Sequence, residues 1–210
     1  MKVGTMFQYK TTALLIVVFF FTGIASFGQS SDDRAVRSPA TQHLTLLGFA
    51  LGKSTLADVE AKLGKSQIRR CSREEEASKE ICYLSRDGKA QAVFQAGFSG
   101  GWKELDGFKI ISRTLNPNCY SQCAATSLAR ESFRTQGGLH LGMTRKEVMD
   151  LLGEPTHSKV NKITFQWHTR QPKSEPSSTK DDYWDVQDTI NVVFVNSLVV
   201  EVKVQHLVTD

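Results

Sequence analysis

The sequence predicts an α+β fold of two tandem units, each with short helices packed on a small antiparallel sheet. Three observations predict it: a capped helix that occurs twice, a series of short segments separated by turn signals, and a last segment with one apolar and one polar face. The repeat is the strongest. Thr144, Glu147, Val148, Leu152 and Gly153 follow the same spacing as Thr55, Asp58, Val59, Leu63 and Gly64. Leu51-Gly52 and Leu141-Gly142 precede the two copies, and the first copy carries one extra loop residue. A motif met twice about ninety residues apart points to one duplicated unit.

Each copy reads as a helix that is deliberately started and stopped. Thr144 caps the first turn while Glu147 reaches back to it; Thr55 and Asp58 offer a weaker version of this box. Met143 and Val148 sit where a hydrophobic staple fixes the approach angle, and Ser54 cannot do this in the first copy. Gly64 and Gly153 suit the positive backbone angle past a helix end, and Pro155 prevents resumption. Val148, Leu151 and Leu152 share one face, as do Val59 and Leu63. Helices this short are marginal alone, so each must lie on an apolar surface.

Residues 1–28 read as a signal peptide: Lys2 and Lys10 give a positive start, residues 13–21 are almost wholly apolar, and small residues follow. Cleavage before Gln29 is expected, with cleavage after Ala25 or retention as an anchor as alternatives. The apolar run is short of the roughly 20 residues that a spanning helix needs, and no cysteine lies there to carry a lipid. Removal lowers the formal net charge from +4 to +2 and leaves residues 29–210, enough for one ordinary domain or two small units. That balance excludes any strong demand for nucleic acid or anionic lipid as partner. Residues 29–42 form a polar, flexible leader, and the mixed charges from Arg69 to Glu76 suit a solvated hairpin tip.

The four cysteines fit an exported protein. Of the three pairings open to them, Cys71–Cys82 and Cys119–Cys123 are favoured because each closes locally; sequence alone does not choose. A zinc site is the competing reading, with poor ligand spacing.

Beyond the first helix the chain predicts a hairpin of residues 67–72 with 80–85, then an Asp87-Gly88 turn into 89–96. A second Asp-Gly pair, Asp106-Gly107, predicts another turn before 108–114. Residues 116–136 are a connecting segment, with 120–133 as a helix. The first unit spans 43–115 and the second 137–210. In the second unit Ile163, Phe165 and Trp167 alternate with polar neighbours, and residues 171–182 are a Pro/Ser/Lys-rich flexible loop. Two last strands meet at Asn196-Ser197. In the final one Leu198, Val200, Val202 and Val204 face one side, and Glu201, Lys203 and Gln205 the other. A sheet with one wet face and one covered face is the expected layer.

Leu141-Gly142-Met143-Thr144, Glu147-Val148, Leu152-Gly153 and Pro155 together resemble the opening signature of the BamE (SmpA/OmlA) family of small envelope proteins. The wider group includes the β-lactamase inhibitor protein fold, similar in being a tandem of such units. The resemblance implies helices on antiparallel sheet and a role in binding other proteins. Two copies and no acylation cysteine depart from the single-copy, lipid-anchored family pattern, and no inhibitor interface residue can be matched.

The chemistry-bearing patterns are sparse. Gly97-Phe98-Ser99-Gly100-Gly101 matches G-x-S-x-G, with Asp106 and His140 following in hydrolase order. That nucleophile turn needs strand, turn and helix in a parallel sheet, whereas the neighbours here read as antiparallel. The five histidines, His43, His140, His157, His168 and His206, show no metal-binding spacing and read as scattered surface or edge residues. No phosphate-binding loop is complete, since Leu51-Gly52-Lys53-Ser54 lacks the first glycine. No cofactor or metal is expected. Trp102, Tyr183 and Trp184 are the candidate partner anchors, because Trp and Tyr dominate interface hot spots; Trp167 is more simply core. The expectation is an exported, periplasmic or secreted, non-catalytic protein-binding module. The alternatives are a serine hydrolase using Ser99 and a structural envelope protein.

Overall fold

The computed structural model describes residues 39–67, 78–97, 103–115, 123–126, 133–173 and 183–209, all within the compact unit Val36–Asp210. A 3₁₀ turn (Pro39–His43) and a tiny hairpin, β1 (Thr45–Leu46) and β2 (Phe49–Ala50), lead into helix α1 (Leu56–Leu63). Three strands follow, β3 (Lys79–Leu84), β4 (Ala90–Ala96) and β5 (Leu105–Ser112), and then the short β6 (Ala124–Ala125). Helix α2 (Arg145–Leu152) opens the second half, followed by β7 (His157–Lys159), β8 (Lys162–Pro172), β9 (Tyr183–Val195) and β10 (Leu198–Thr209).

The fold is mostly β, which corrects the α+β expectation of two small sheets. Eight strands form one continuous sheet in the order β6-β3-β4-β5-β10-β9-β8-β7. Among the described residues, only the β3–β6 pair is parallel. The halves join because their last strands, β5 and β10, pair antiparallel at the centre, Phe108 opposite Val204, Lys109 opposite Lys203, and Ile110 opposite Val202. Turn signals in a sequence mark strand ends but not which distant strands pair, so one long sheet and two short ones look alike.

The two halves share one backbone arrangement. In the first half Gly52 N–H donates to the Leu105 carbonyl at 2.8 Å, and Leu105 N–H donates to the Ser54 carbonyl at 2.7 Å. In the second, Gly142 N–H donates to Val199 O and Val199 N–H to Met143 O, both at 2.8 Å. Each helix cap is thus clipped to the start of its own half's last strand. Taking Leu105 and Val199 as equivalents, the next residue in each strand, Asp106 and Val200, is the extra one in a β-bulge. Four residues beyond the equivalents stand Lys109 and Lys203. Antiparallel pairing of two equivalent strands is what a local two-fold axis between these lysines requires.

The bulges overturn two readings. Asp106-Gly107 lies inside β5 and makes no hairpin turn; an extra residue kinks a strand where the sequence shows only a turn dipeptide. In β10 the bulge switches the side-chain alternation, so Val199 (2% exposed) faces the core while Leu198 is 45% exposed. Two other turns stand where expected: Gly88 has φ 67°, and Asn196 and Ser197 have φ 50° and 67°. The last two are both positive, as a two-residue type I′ hairpin turn demands. The tip of the hairpin expected between residues 67–72 and 80–85 lies outside the described residues.

One apolar layer fills the side of the sheet carrying the helices. Val59 and Leu63 of α1 and Val148 and Leu152 of α2 join Phe94, Phe108, Ile110, Phe165, Ile190, Val202 and Val204 in it. Burying each such side chain contributes about 1.5–3 kcal/mol, so tertiary packing holds these eight-residue helices. Both capping boxes are complete. Thr55 N–H donates to Asp58 Oδ2 at 2.8 Å, and Thr144 N–H to Glu147 Oε2 at 2.7 Å. The first box is therefore as whole as the second. These bonds hold the Asp58 and Glu147 carboxyls below their ordinary pKa values.

A smaller cluster, Cys82, Val93, Ile111 and Cys123, occupies the opposite face of the first half. It contains the disulfide Cys82–Cys123, with Cα atoms 4.9 Å apart across a sequence separation of 41. This corrects the expected Cys71–Cys82 and Cys119–Cys123 pairings. Local closure was the wrong criterion, because β6 returns beside β3, Ala124 pairing with Tyr83. Strand β6 also replaces part of the helix expected over 120–133. Cys71 and Cys119 lie outside the described residues.

Candidate partner-binding face

The two halves treat the sheet's second face differently. In the first half it is buried, and β4 is enclosed along its whole length. In β8, β9 and β10 burial alternates, apart from the run Asp188, Thr189 and Ile190, so one face is packed and much of the other meets solvent. Antiparallel sheets tolerate this because water can solvate the outer face. The outward side chains are mostly amides, hydroxyls and charges: Lys162, Thr164 and Gln166 on β8, Gln187 and Asn191 on β9, and Glu201, Lys203 and Gln205 on β10, with Thr189 on the same side but buried.

One row crosses the sheet's middle: Lys109 (β5), Lys203 (β10), Asn191 (β9) and Thr164 (β8) are direct register partners in sequence. Its acceptors are used internally. Thr164 Oγ1 donates to Asn191 Oδ1 at 2.8 Å, which leaves the Asn191 amide nitrogen pointing its N–H groups elsewhere. Lys109 Nζ lies 3.1 Å from Glu80 Oε1, with the side chains 17% and 2% exposed, and Gln95 Nε2 also donates to that carboxylate. Lys203 has no hydrogen bond or ion pair among the described residues. Desolvation first, then the neighbouring Lys109 charge, pushes its pKa below the ordinary lysine value. Like charges directly opposite on a sheet destabilise it. Sequence reasoning put Lys203 on the wet face but missed Lys109 and Asn191, because their meeting depends on cross-strand register.

The expected anchors are distributed differently. Tyr183 and Trp184 start β9 as sequence neighbours and so project to opposite faces of the strand. Tyr183, 47% exposed, lies under the Arg170 guanidinium at 5.3 Å, and Arg170 also meets Asp185 at 3.3 Å. Trp184 is half-buried with Lys173 Nζ 4.4 Å above its ring. Trp167 stacks on Phe165 at 6.0 Å. Trp102 lies outside the described residues. The 171–182 loop starts later than expected, since Gln171 and Pro172 belong to β8; residues 174–182 lie outside the described residues.

The hydrolase constellation has this placement. Gly97 leaves β4, whose partner β5 is its antiparallel neighbour, so the segment joins two adjacent strands of one hairpin. Ser99 lies outside the described residues. Asp106 is the buried bulge residue of β5, and His140 Nδ1 lies 2.8 Å from the Gly138 carbonyl. Two other histidines depart from the surface expectation. His43 is buried with Nδ1 3.0 Å from Thr135 Oγ1, and His206 Nδ1 lies 2.7 Å from Asp188 Oδ1. His157 and His168 are exposed.

Among the described residues, no group of three or more His, Cys, Asp or Glu side chains is arranged to hold a metal ion. None of their helices is long and apolar enough to cross a membrane. No protein-family model, curated protein or solved structure matches this chain.

Proposed function

We propose that this chain is an exported, non-catalytic protein-binding module whose working surface is the open sheet face of β8, β9 and β10. The observation that carries the reading is the asymmetry between the halves: the first half buries this face, whereas the second leaves a field of amides, hydroxyls and charges in which Lys203 is half-buried with no hydrogen bond or ion pair among the described residues. Unused donors on a rigid sheet suit recognition of another protein, since a β-scaffold fixes their positions at little entropic cost. The Cys82–Cys123 bond supports residence in an oxidising compartment, periplasmic or secreted. The BamE-like cap signature and its repetition support kinship with tandem envelope binding proteins. The β4–β5 hairpin setting of Gly97 speaks for a plain connection there and against a nucleophile turn.

The test is hydrogen exchange on the exported protein alone and after capture of its partner from the cell envelope. Protection confined to β8–β10 and residues 174–182 is expected. Protection elsewhere, or labelling of Ser99 by an active-site serine probe in the folded protein only, would retire the reading in favour of another surface or the hydrolase.

A further inference from the structure

Lys203 stands where a sheet should not place it. Its direct cross-strand neighbour is another lysine, Lys109, and it is only partly solvated. The two differ in one respect: Glu80 neutralises Lys109 from within the chain, and nothing among the described residues does the same for Lys203. Glu201, two residues along β10, is near enough to act on Lys203 through space, but so is Lys162 with the opposite sign. On its other side Lys203 faces Asn191, whose carbonyl oxygen is occupied by Thr164. The row therefore offers an anion donors from two adjacent strands, Lys203 and Asn191, while the Glu80 carboxylate is already held by Lys109 and Gln95.

We propose that Lys203, with Asn191 and Lys109 beside it, is the acceptor site for a side-chain carboxylate of the protein partner. This rests on the reading of the open face as the partner surface and adds the partner's chemistry to it. A carboxylate fits because it takes N–H donors on both oxygens and supplies the one charge this row lacks. A polyanion fits poorly, because Glu201 and Asp185 stand on the same face and the protein's overall charge is close to balanced. The position is also right for affinity: a charge pair desolvated at an interface centre counts for more than one at its rim.

The proposal predicts an uncommon combination, in which removing Lys203 weakens binding while leaving the fold intact or firmer. The protein, labelled with ¹³C-lysine and kept oxidised, is titrated with an acetylated, amidated Gly-Gly-Glu-Gly-Gly peptide, which carries a single carboxylate. Saturable movement of the Lys203 side-chain signals is expected, with the Gln-for-Glu peptide producing none. Lys203→Met should weaken the peptide at least tenfold without lowering Tm, and Lys203→Arg should restore binding. No movement at millimolar peptide overturns the proposal, as does a stronger response to inorganic phosphate or phosphatidylglycerol vesicles. A fall in Tm for Lys203→Met would make the residue structural and overturn it too. If the open face is protected by a captured partner but Lys203→Met leaves capture unchanged, the carboxylate is wrong and the binding surface survives. If the face is never protected, the surface reading itself fails.

Discussion

Removing the Cys82–Cys123 bond by Cys82→Ala with Cys123→Ala tests the topology most directly, because the bond ties β3 to a strand that returns after two others have been laid down. The bonded residues are 41 apart in sequence. Chain-entropy arithmetic for a loop of that size gives about 4 kcal/mol of stabilisation by restricting the unfolded state. The same arithmetic for the eleven-residue step from Cys71 to Cys82 gives about 3 kcal/mol. Stability alone separates the two pairings poorly, so connectivity must be read as well. Peptide mapping of the non-reduced protein, produced under oxidising conditions, should yield a Cys82–Cys123 cross-link, which leaves Cys71 and Cys119 as the only other pair. For a unit of this length, thermal unfolding of the double variant should come at a temperature lower by about 8–16 °C. The small cluster around Val93 and Ile111 remains after substitution, so a fall nearer the lower end is expected. A Cys71–Cys82 or Cys119–Cys123 peptide would refute the β6–β3 pairing, and a Tm change below about 2 °C would refute the entropic argument.

Four further outcomes are expected. Thr55→Ala and Thr144→Ala should each cost about 1 kcal/mol in denaturant unfolding; they should match, because both capping boxes are closed. Val148→Asp, fully buried against the sheet, should cost more than about 3 kcal/mol or abolish folding, as for an unpaired buried charge. Burial pushes His43 below its ordinary value of 6.5. The unfolded chain therefore takes up a proton first, and stability is full above that pH and falls as pH drops through 6.5. His43→Gln should flatten this limb of a Tm-against-pH curve, while the capping carboxylates add their own loss only below their ordinary range. Gly137→Ala should destabilise by about 1–3 kcal/mol, as overpacking does, because a Cβ there would collide with the His43 ring; an unchanged Tm would show the ring to be elsewhere.

Features that depend on neighbours along the chain are legible in the sequence. Thr55 with Asp58 and Thr144 with Glu147 announce their helices, since a capping box closes over three residues. Gly64 and Gly153, with φ 95° and 85°, stop them where only glycine sits without strain. Asn196-Ser197 marks its hairpin, and Ile163 and Phe165 show their buried face, for the same local reason. Tertiary structure alone decided what depends on distant strands. The union of β5 with β10, the return of β6 to Cys82 and the meeting of Lys109 with Lys203 rest on cross-strand register, which no local pattern encodes. The bulges at Asp106 and Val200 show the limit most plainly. One extra residue reverses which side chains face the core, and its presence is felt only against the partner strand. The candidate site belongs to this second class, being a row of residues from four strands that are neighbours only once the sheet has formed.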